Sequence, residues 1–504
     1  MTRRRVATLI LLVWVSSLGW LVLREYGGGR VREDEGWPVP PGSVFQAVRL
    51  GARQIGLASL TVDTLTSPPR LRVAELLTVD LPRSPDDSAP PPRTSVRTEA
   101  IYTRGLHLTR WQSDLLTEQG RASVTGRVLG DSLLEVVTSA AGTSDTIRAT
   151  LRKPVVLPSA VPFVARQRGM LRREGRLGLD VLDPLDLEVR SERFVVAAES
   201  VFAVADSAEY REHLGRWAAV HFDTLHAWRL EALAEGLRSW SWVDGFGMPV
   251  QSNQALGATM ERSAFELVSR NYRARARPGR VEGVDLPRFR GPVPPPPRFT
   301  TPDGFAARLH LDPPRATGDL EMLSGGIQEV RGDTLLVTRL ASLEGPGDTP
   351  QVSVLAQAAD SLLTRALEAA GVRPDQPPAE AARRVNAWVR RAITLREGPA
   401  VSSAGQVLVR RVATPGERTV TLARLLRHAG LEARAVWGLV WRPPAWHLAS
   451  WVEAGRGTVF AVDPAQAAVP ADPARIRLGP GGVPRLLALL LVAGRLRLQP
   501  VSGT

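Results

Sequence analysis

Between Val407 and Asp463 the chain reads as one amphipathic helix followed by three strands, and this order limits the fold more than any other stretch. Leu422, Leu425, Leu426 and Ala429 recur at helical spacing, and Gly430 stands where a helix C-cap glycine belongs. Beyond it, Ala433, Ala435, Trp437 and Leu439 are the apolar members of one strand. Ser450 to Glu453 and Val459 to Asp463 read as two more, separated by a Gly455-Arg456-Gly457 turn. The pattern predicts an α+β domain at the C-terminal end of the chain.

This layout resembles the transglutaminase-like superfamily, the papain-related fold of bacterial cysteine peptidases and acyltransferases. The family pattern is a VLxxRxGDCxEHA run, a helix ending LLRAxGIPAR, a GLVY strand, an HAWxEV strand and a strand ending in VDPT. Here Val407, Leu408 and Arg410 match the first run, and Glu417 matches its glutamate. Leu425-Leu426-Arg427 and Gly430 to Arg434 match the helix end, and Gly438-Leu439-Val440-Trp441 matches the next strand. Trp451 and Glu453 match the HAWxE element, Asp463-Pro464 the last, and the tail from Ala474 to Val501 is similar to the family's ending. The resemblance covers roughly the last third of the chain.

Two of the three catalytic positions that the resemblance implies are replaced. The nucleophilic cysteine falls on Pro415 and the histidine on Ala449; only the aspartate survives, as Asp463. Thiolate attack needs a sulfur of lowered pKa beside an imidazole. Proline supplies no nucleophile, yet it fits a first helical turn, where an N–H would be unpaired anyway. Alanine neither accepts nor donates a proton. Asp463 would orient an imidazole in an active member; here it is expected to serve as a turn or capping residue. The chain contains no cysteine at all, which excludes thiol catalysis, disulfides and cysteine-ligated zinc. The expectation is a pseudoenzyme without cofactor or metal. The alternative is a hydrolase or acyltransferase using Glu417, His447, Glu453 and Asp463, although their spacing matches no ligand motif. His447, two residues before Ala449, shares its strand face.

The N-terminus points to a membrane. Arg3-Arg4-Arg5 precede an uncharged apolar run, Val6 to Leu23, at the short end of a spanning helix. Basic residues on that side keep it cytoplasmic. No small-x-small cleavage site follows, so an uncleaved signal anchor over residues 1–26 is preferred to a cleaved signal peptide. The bulk of the protein is then periplasmic, or extracytoplasmic more generally. Residues 27–42 read as a Gly/Pro-rich tether. Residues 43–277 alternate apolar and polar side chains in short runs and predict a large antiparallel β-sheet domain. Within it, residues 206–220 read as a helix or an insertion, and Trp240 to Gln254 as a hairpin. Trp217, Trp228, Trp240 and Trp242 could form a sugar-stacking platform, but packing against the sheet accounts for them. Residues 278–298, with four consecutive prolines, form a stiff linker. Residues 299–350 read as a small β module and 351–504 as the transglutaminase-like domain, opened by helices at Val352–Ala370 and Ala379–Ile393.

The formal net charge of +13 invites a nucleic-acid reading. Its carriers argue otherwise. All but Lys153 of the 64 basic residues are arginine, spread along the chain, with no nucleic-acid-binding motif. The expected partners are the membrane, envelope proteins and acidic envelope polymers.

Overall fold

The computed structural model describes residues 39–504 apart from 51–52, 81–92, 118–119, 131, 141, 233–239, 255–257, 276–303, 312–322, 343–351, 399, 443–444, 481–495 and 501–504. The apolar run Val6–Leu23, most of the tether and the Pro-rich linker therefore lie outside the described residues. Among the described residues no helix is long and apolar enough to cross a membrane.

Among the described residues, alternation produces one sheet of 16 strands. The eight strands from Gly42–Leu50 to Thr143–Thr150 pair in sequence order as an antiparallel meander. Val155–Val156 pairs in parallel with Arg176–Asp183, from which a second antiparallel meander runs to Ala258–Arg262, whose strand pairs with Gly42–Leu50. The two outermost strands of the path, Thr143–Thr150 and Val155–Val156, are thus consecutive in the chain. The four residues between them span at most about 18 Å. The sheet must therefore curl until its two ends approach each other. Apolar positions on one face make this stable: Leu134, Val136, Ile147 and Ala149 are all buried on neighbouring strands.

Residues 206–220 continue strands rather than forming a helix or insertion. Glu188–Arg211 and Arg216–Ala232 pair along nearly their whole length, around a single turn at Glu212–Leu214. The β-branched and alternating residues of Val201–Ala205 and Val220–Leu225 outweigh the short helical run around Glu212. The Trp240–Asp244/Pro249–Gln254 hairpin forms as expected. Asp244 Oδ1 accepts the N–H groups of Phe246 and Met248, at 2.9 and 3.0 Å, and Gly247 takes a φ of +81°.

Glu135 sits at the outer end of this sheet, between Arg148 and Arg127, with its side chain 8% exposed. Hydrogen bonds from Arg148 first, then Arg127, hold its carboxyl below the usual range. A depressed acid contributes stability above its unfolded pKa and loses it as pH falls through the folded value. Glu135→Gln should therefore lower the thermal midpoint at neutral pH, and the gap to wild type should close on acidification. A gap that stays constant down to pH ~3, below the ordinary glutamate range, would contradict this.

The C-terminal region has helices Asp360–Ala370, Pro378–Ala392, Ala404–Arg410 and Pro415–His428. The first begins later than its periodicity suggests, because Val352 and Ser353 pair with Val189 and Glu188 of the large sheet. The helices cover one face of a sheet ordered Leu340–Ser342, Thr458–Val462, Ala445–Arg456, Glu432–Arg442, Arg475–Pro480. Leu422, Leu425 and Leu426 pack with Val385, Val389, Val452 and Ala454 in a dry core. A second sheet joins Gln328–Arg331, Thr334–Thr338 and Gly304–Leu311 to Leu496–Pro500. The strand at the C-terminal end thus shares a sheet with the segment read as a small β module, and Leu340–Ser342 from that segment joins the helix-covered sheet.

This region is docked on both ends of the curled sheet. Asp145 Oδ2, on the outermost strand, accepts from Ser403 N at 2.9 Å and Ser403 Oγ at 2.6 Å. Thr138 Oγ1 donates to the Val401 carbonyl. At the other end, Val354 N donates to Leu187 O at 2.9 Å.

Candidate functional site

The Pro415 helix starts where the residue pattern places it. Thr414 is the N-cap, and a reciprocal capping box joins its hydroxyl to the Glu417 N–H and the Glu417 carboxylate to its own N–H. Pro415 fills the first position and is exposed. Gly430, with a φ of +81°, follows the helix end.

Glu417 is fully buried. Its Oε2 accepts Thr414 N at 2.7 Å. Its Oε1 accepts Val401 N at 2.7 Å, Ser402 N at 2.6 Å and Arg396 Nη2 at 2.8 Å. Thr414 belongs to the helix start and Val401 and Ser402 to the segment that docks on the large sheet, with Arg396 a few residues before it. The carboxylate is saturated by these four donors and buried away from solvent.

The strand beside the helix presents Ser450. Thr419 Oγ1, one turn into the helix, lies 2.9 Å from Ser450 Oγ and 3.0 Å from the Pro415 carbonyl. Ser450, Val452 and Ala454 share the helix-facing side of their strand by alternation. Ala449 takes the other side. It pairs with Gly438 and packs on the cluster around Trp451 and Ile476. A Cβ on Gly438 would run into the Ile476 carbonyl and the Trp451 ring, so the sheet is tightly covered there. The position that the resemblance assigns to histidine therefore faces away from the helix. His447, half-buried, pairs with Val440 on that same far side.

Glu453 is on the far face too, with Arg434 at 2.9 Å and Arg477 at 3.8 Å. A Cβ on Gly326 would touch its carboxylate, so the Leu323–Gln328 loop lies directly over it. Gln328 fastens that loop by donating to Arg477 O at 3.0 Å and accepting Arg477 N at 2.8 Å.

Asp463 follows the Thr458–Val462 strand and is 1% exposed. Its Oδ1 accepts Ala465 N at 2.8 Å, the turn-capping bond expected of it. Its Oδ2 lies 3.7 Å from Arg475 Nη1, and its carbonyl accepts from Asn386 at 3.3 Å. Arg475 is wholly buried, with Nε donating to Asp472 O at 2.6 Å and the guanidinium 5.2 Å from the Trp451 ring centre. Burial lowers its pKa, against the opposing pull of Asp463 and Asp472. Burial and the neighbouring Arg390 likewise lower that of Arg418, while Asp463 raises it.

Among the described residues Glu417, His447, Glu453 and Asp463 form no group able to hold a metal ion. The His/Asp/Glu group whose ligand atoms lie within 4.8 Å of one another is Asp206, His221 and Asp223, exposed on the long hairpin. There His221 Nδ1 is 2.8 Å from Asp206, whose hydrogen bond raises the imidazole pKa.

Sequence reading missed Ser450, Arg475 and Asn386. Alternation with Val452 and Ala454 was available as a signal for Ser450. Nothing local marks Arg475, whose partners Asp472, Gln466 and Asp463 meet it only through the Asp463–Arg475 turn region. One consequence is testable. In Pro415→Cys/Ala449→His the thiol should react with iodoacetamide no faster than in Pro415→Cys alone, because the new imidazole lies on the far face. A faster, pH-shifted reaction would show that the two positions meet.

No curated protein matches the chain. Two solved structures are similar at 12% identity. A DUF1089 family protein from Pseudomonas aeruginosa covers 40% of this chain and 89% of its own, with a TM-score of 0.23. A proposed cysteine protease from Cytophaga hutchinsonii covers 40% of this chain and 77% of its own, with a TM-score of 0.22. Both are too distant to bear on fold or activity. Residues 365–464, from within the first helix to the Asp463-Pro464 corner, match the Transglutaminase-like superfamily, and the chain thus carries a domain of that superfamily over this span.

Proposed function

We propose that this is a membrane-anchored, extracytoplasmic protein whose transglutaminase-like domain is a catalytically inactive binding or envelope-assembly module. The observation that carries the reading is the commitment of the old site's polar groups to structure. Glu417 is spent on four donors, Asp463 on a turn and Arg475, and Pro415 on opening a helix. No cysteine exists anywhere in the chain to act as a thiolate. The Arg3–Arg5 cluster and the apolar run after it support a cytoplasmic N-terminus and a single anchor. Envelope proteins and acidic envelope polymers are the partners that fit the net positive charge.

Purified full-length protein should neither hydrolyse a mixed peptide library nor transfer acyl groups from glutamine peptides to amines. Activity above the buffer rate that is abolished in a folded Asp463→Ala variant would overturn the inactive reading. Protease added to intact spheroplasts should digest the large domains while a cytosolic control survives. Survival of both would overturn the topology.

A further inference from the structure

From Ala198 to His226 the long hairpin leaves the body of the sheet. Glu188–Arg211 is paired with the Arg176–Asp183 strand only as far as Val195, and Arg216–Ala232 with Trp240–Asp244 only from Ala227 onward. Between those limits, among the described residues, the two strands have only each other as sheet partners. This two-stranded arm is about 45 Å long at the usual rise per residue. Its tip is steadied by Asn271, which accepts from Trp217 N and donates to Trp217 O, both at 3.0 Å.

The arm exposes several large apolar side chains among its charged ones. Val201 is 60% exposed and Phe222 55%, on one face with Ala203 by the register, and Val220, 41% exposed, lies in the adjoining bulge. Tyr210 and Leu214 add 53% and 48% at the tip. An isolated exposed hydrophobe is ordinary, but a run of them along one face marks an interaction surface.

Charge indicates what covers it. The arm holds Glu199, Asp206, Glu209, Glu212 and Asp223 against Arg211 and Arg216, a formal net charge of −3 with its histidines counted neutral. The whole chain carries +13, so the rest of it carries +16. An acidic arm is repelled by an anionic bilayer surface and attracted to a basic protein surface. The basic surface at hand is that of another molecule of the same chain.

We infer that the Ala198–His226 arm docks on a second copy of this protein, its Val201–Phe222 face buried against the partner and its carboxylates set against the partner's arginines. A two-fold arrangement would bury both arms reciprocally.

Sedimentation equilibrium of the full chain in a mild non-ionic detergent tests this. Wild type should form a dimer, and Val201→Asp/Phe222→Asp should weaken it by about tenfold or more. Raising the salt into the molar range should weaken it too, since surface attraction is screened. The charge-reversed Glu209→Arg/Glu212→Arg, whose positions are exposed, should weaken dimerisation with an unchanged melting curve. It decides the matter should the aspartate variant fail to fold. A wild type that stays monomeric, or variants that dimerise as tightly as wild type, would overturn the proposal.

Discussion

Glu417→Ala should destabilise the C-terminal region by about 4 kcal/mol, a large share of the stability of an ordinary domain. The carboxylate is fully buried and accepts three backbone N–H groups and one arginine. Removing it leaves Thr414, Val401 and Ser402 with buried donors and strips Arg396 of its counter-charge. Each unsatisfied donor costs about 1–3 kcal/mol, and water entering the gap recovers part of the sum. The damage should spread beyond the helix. Val401 and Ser403 are also the residues that meet Thr138 and Asp145 on the large sheet. Loosening the segment should therefore undock the region as well as fray its helix. Urea unfolding followed by tryptophan fluorescence should show a lower midpoint, and hydrogen exchange should rise at residues 401–403. Glu417→Gln should fall between, since an amide oxygen accepts but its NH2 faces donors. A variant within about 1 kcal/mol of wild type would show that the carboxylate is not the anchor.

Arg475→Ala should cost nearly as much, about 3–5 kcal/mol, by a different route. The guanidinium is wholly buried, and its departure leaves Asp463, itself 1% exposed, without its nearest cation. It also vacates the space against Trp451. A buried pair is poor evidence of net stabilisation, because both charges were desolvated to form it. Breaking it is costly for the same reason. The double variant Asp463→Asn/Arg475→Met should accordingly be more stable than the sum of its single changes implies. Strict additivity in guanidinium-induced unfolding would mean that the two groups, 3.7 Å apart, do not interact.

Several features of this protein follow from local sequence. The Thr414-Pro415-Gly416-Glu417 run specifies a helix start, because cap and box act within one turn. Gly430 ends that helix because a left-handed residue is needed there. The alternating runs before residue 150 specify antiparallel strands, because the side-chain period is two. The absence of cysteine thiol chemistry needs no structure, since no cysteine is present. Other features were decided by contacts distant in the chain. Residues 206–220 became strand because cross-strand pairing over 16 residue pairs outweighed a short helical pattern. Val352 and Ser353 became strand because Glu188 and Val189 offered an open edge. Leu496–Pro500 was placed by Gly304–Leu311, almost two hundred residues earlier. The surroundings of Ala449 and Ser450 were decided in the same way. Motif spacing puts Ala449 beside Trp451, but only the pairing of that strand with Glu432–Arg442, and the helix packed on one side of it, determines that Ser450 meets the helix and Ala449 does not. Spacing along a chain defines which residues share a face; which face is buried against what depends on the partners that tertiary structure supplies.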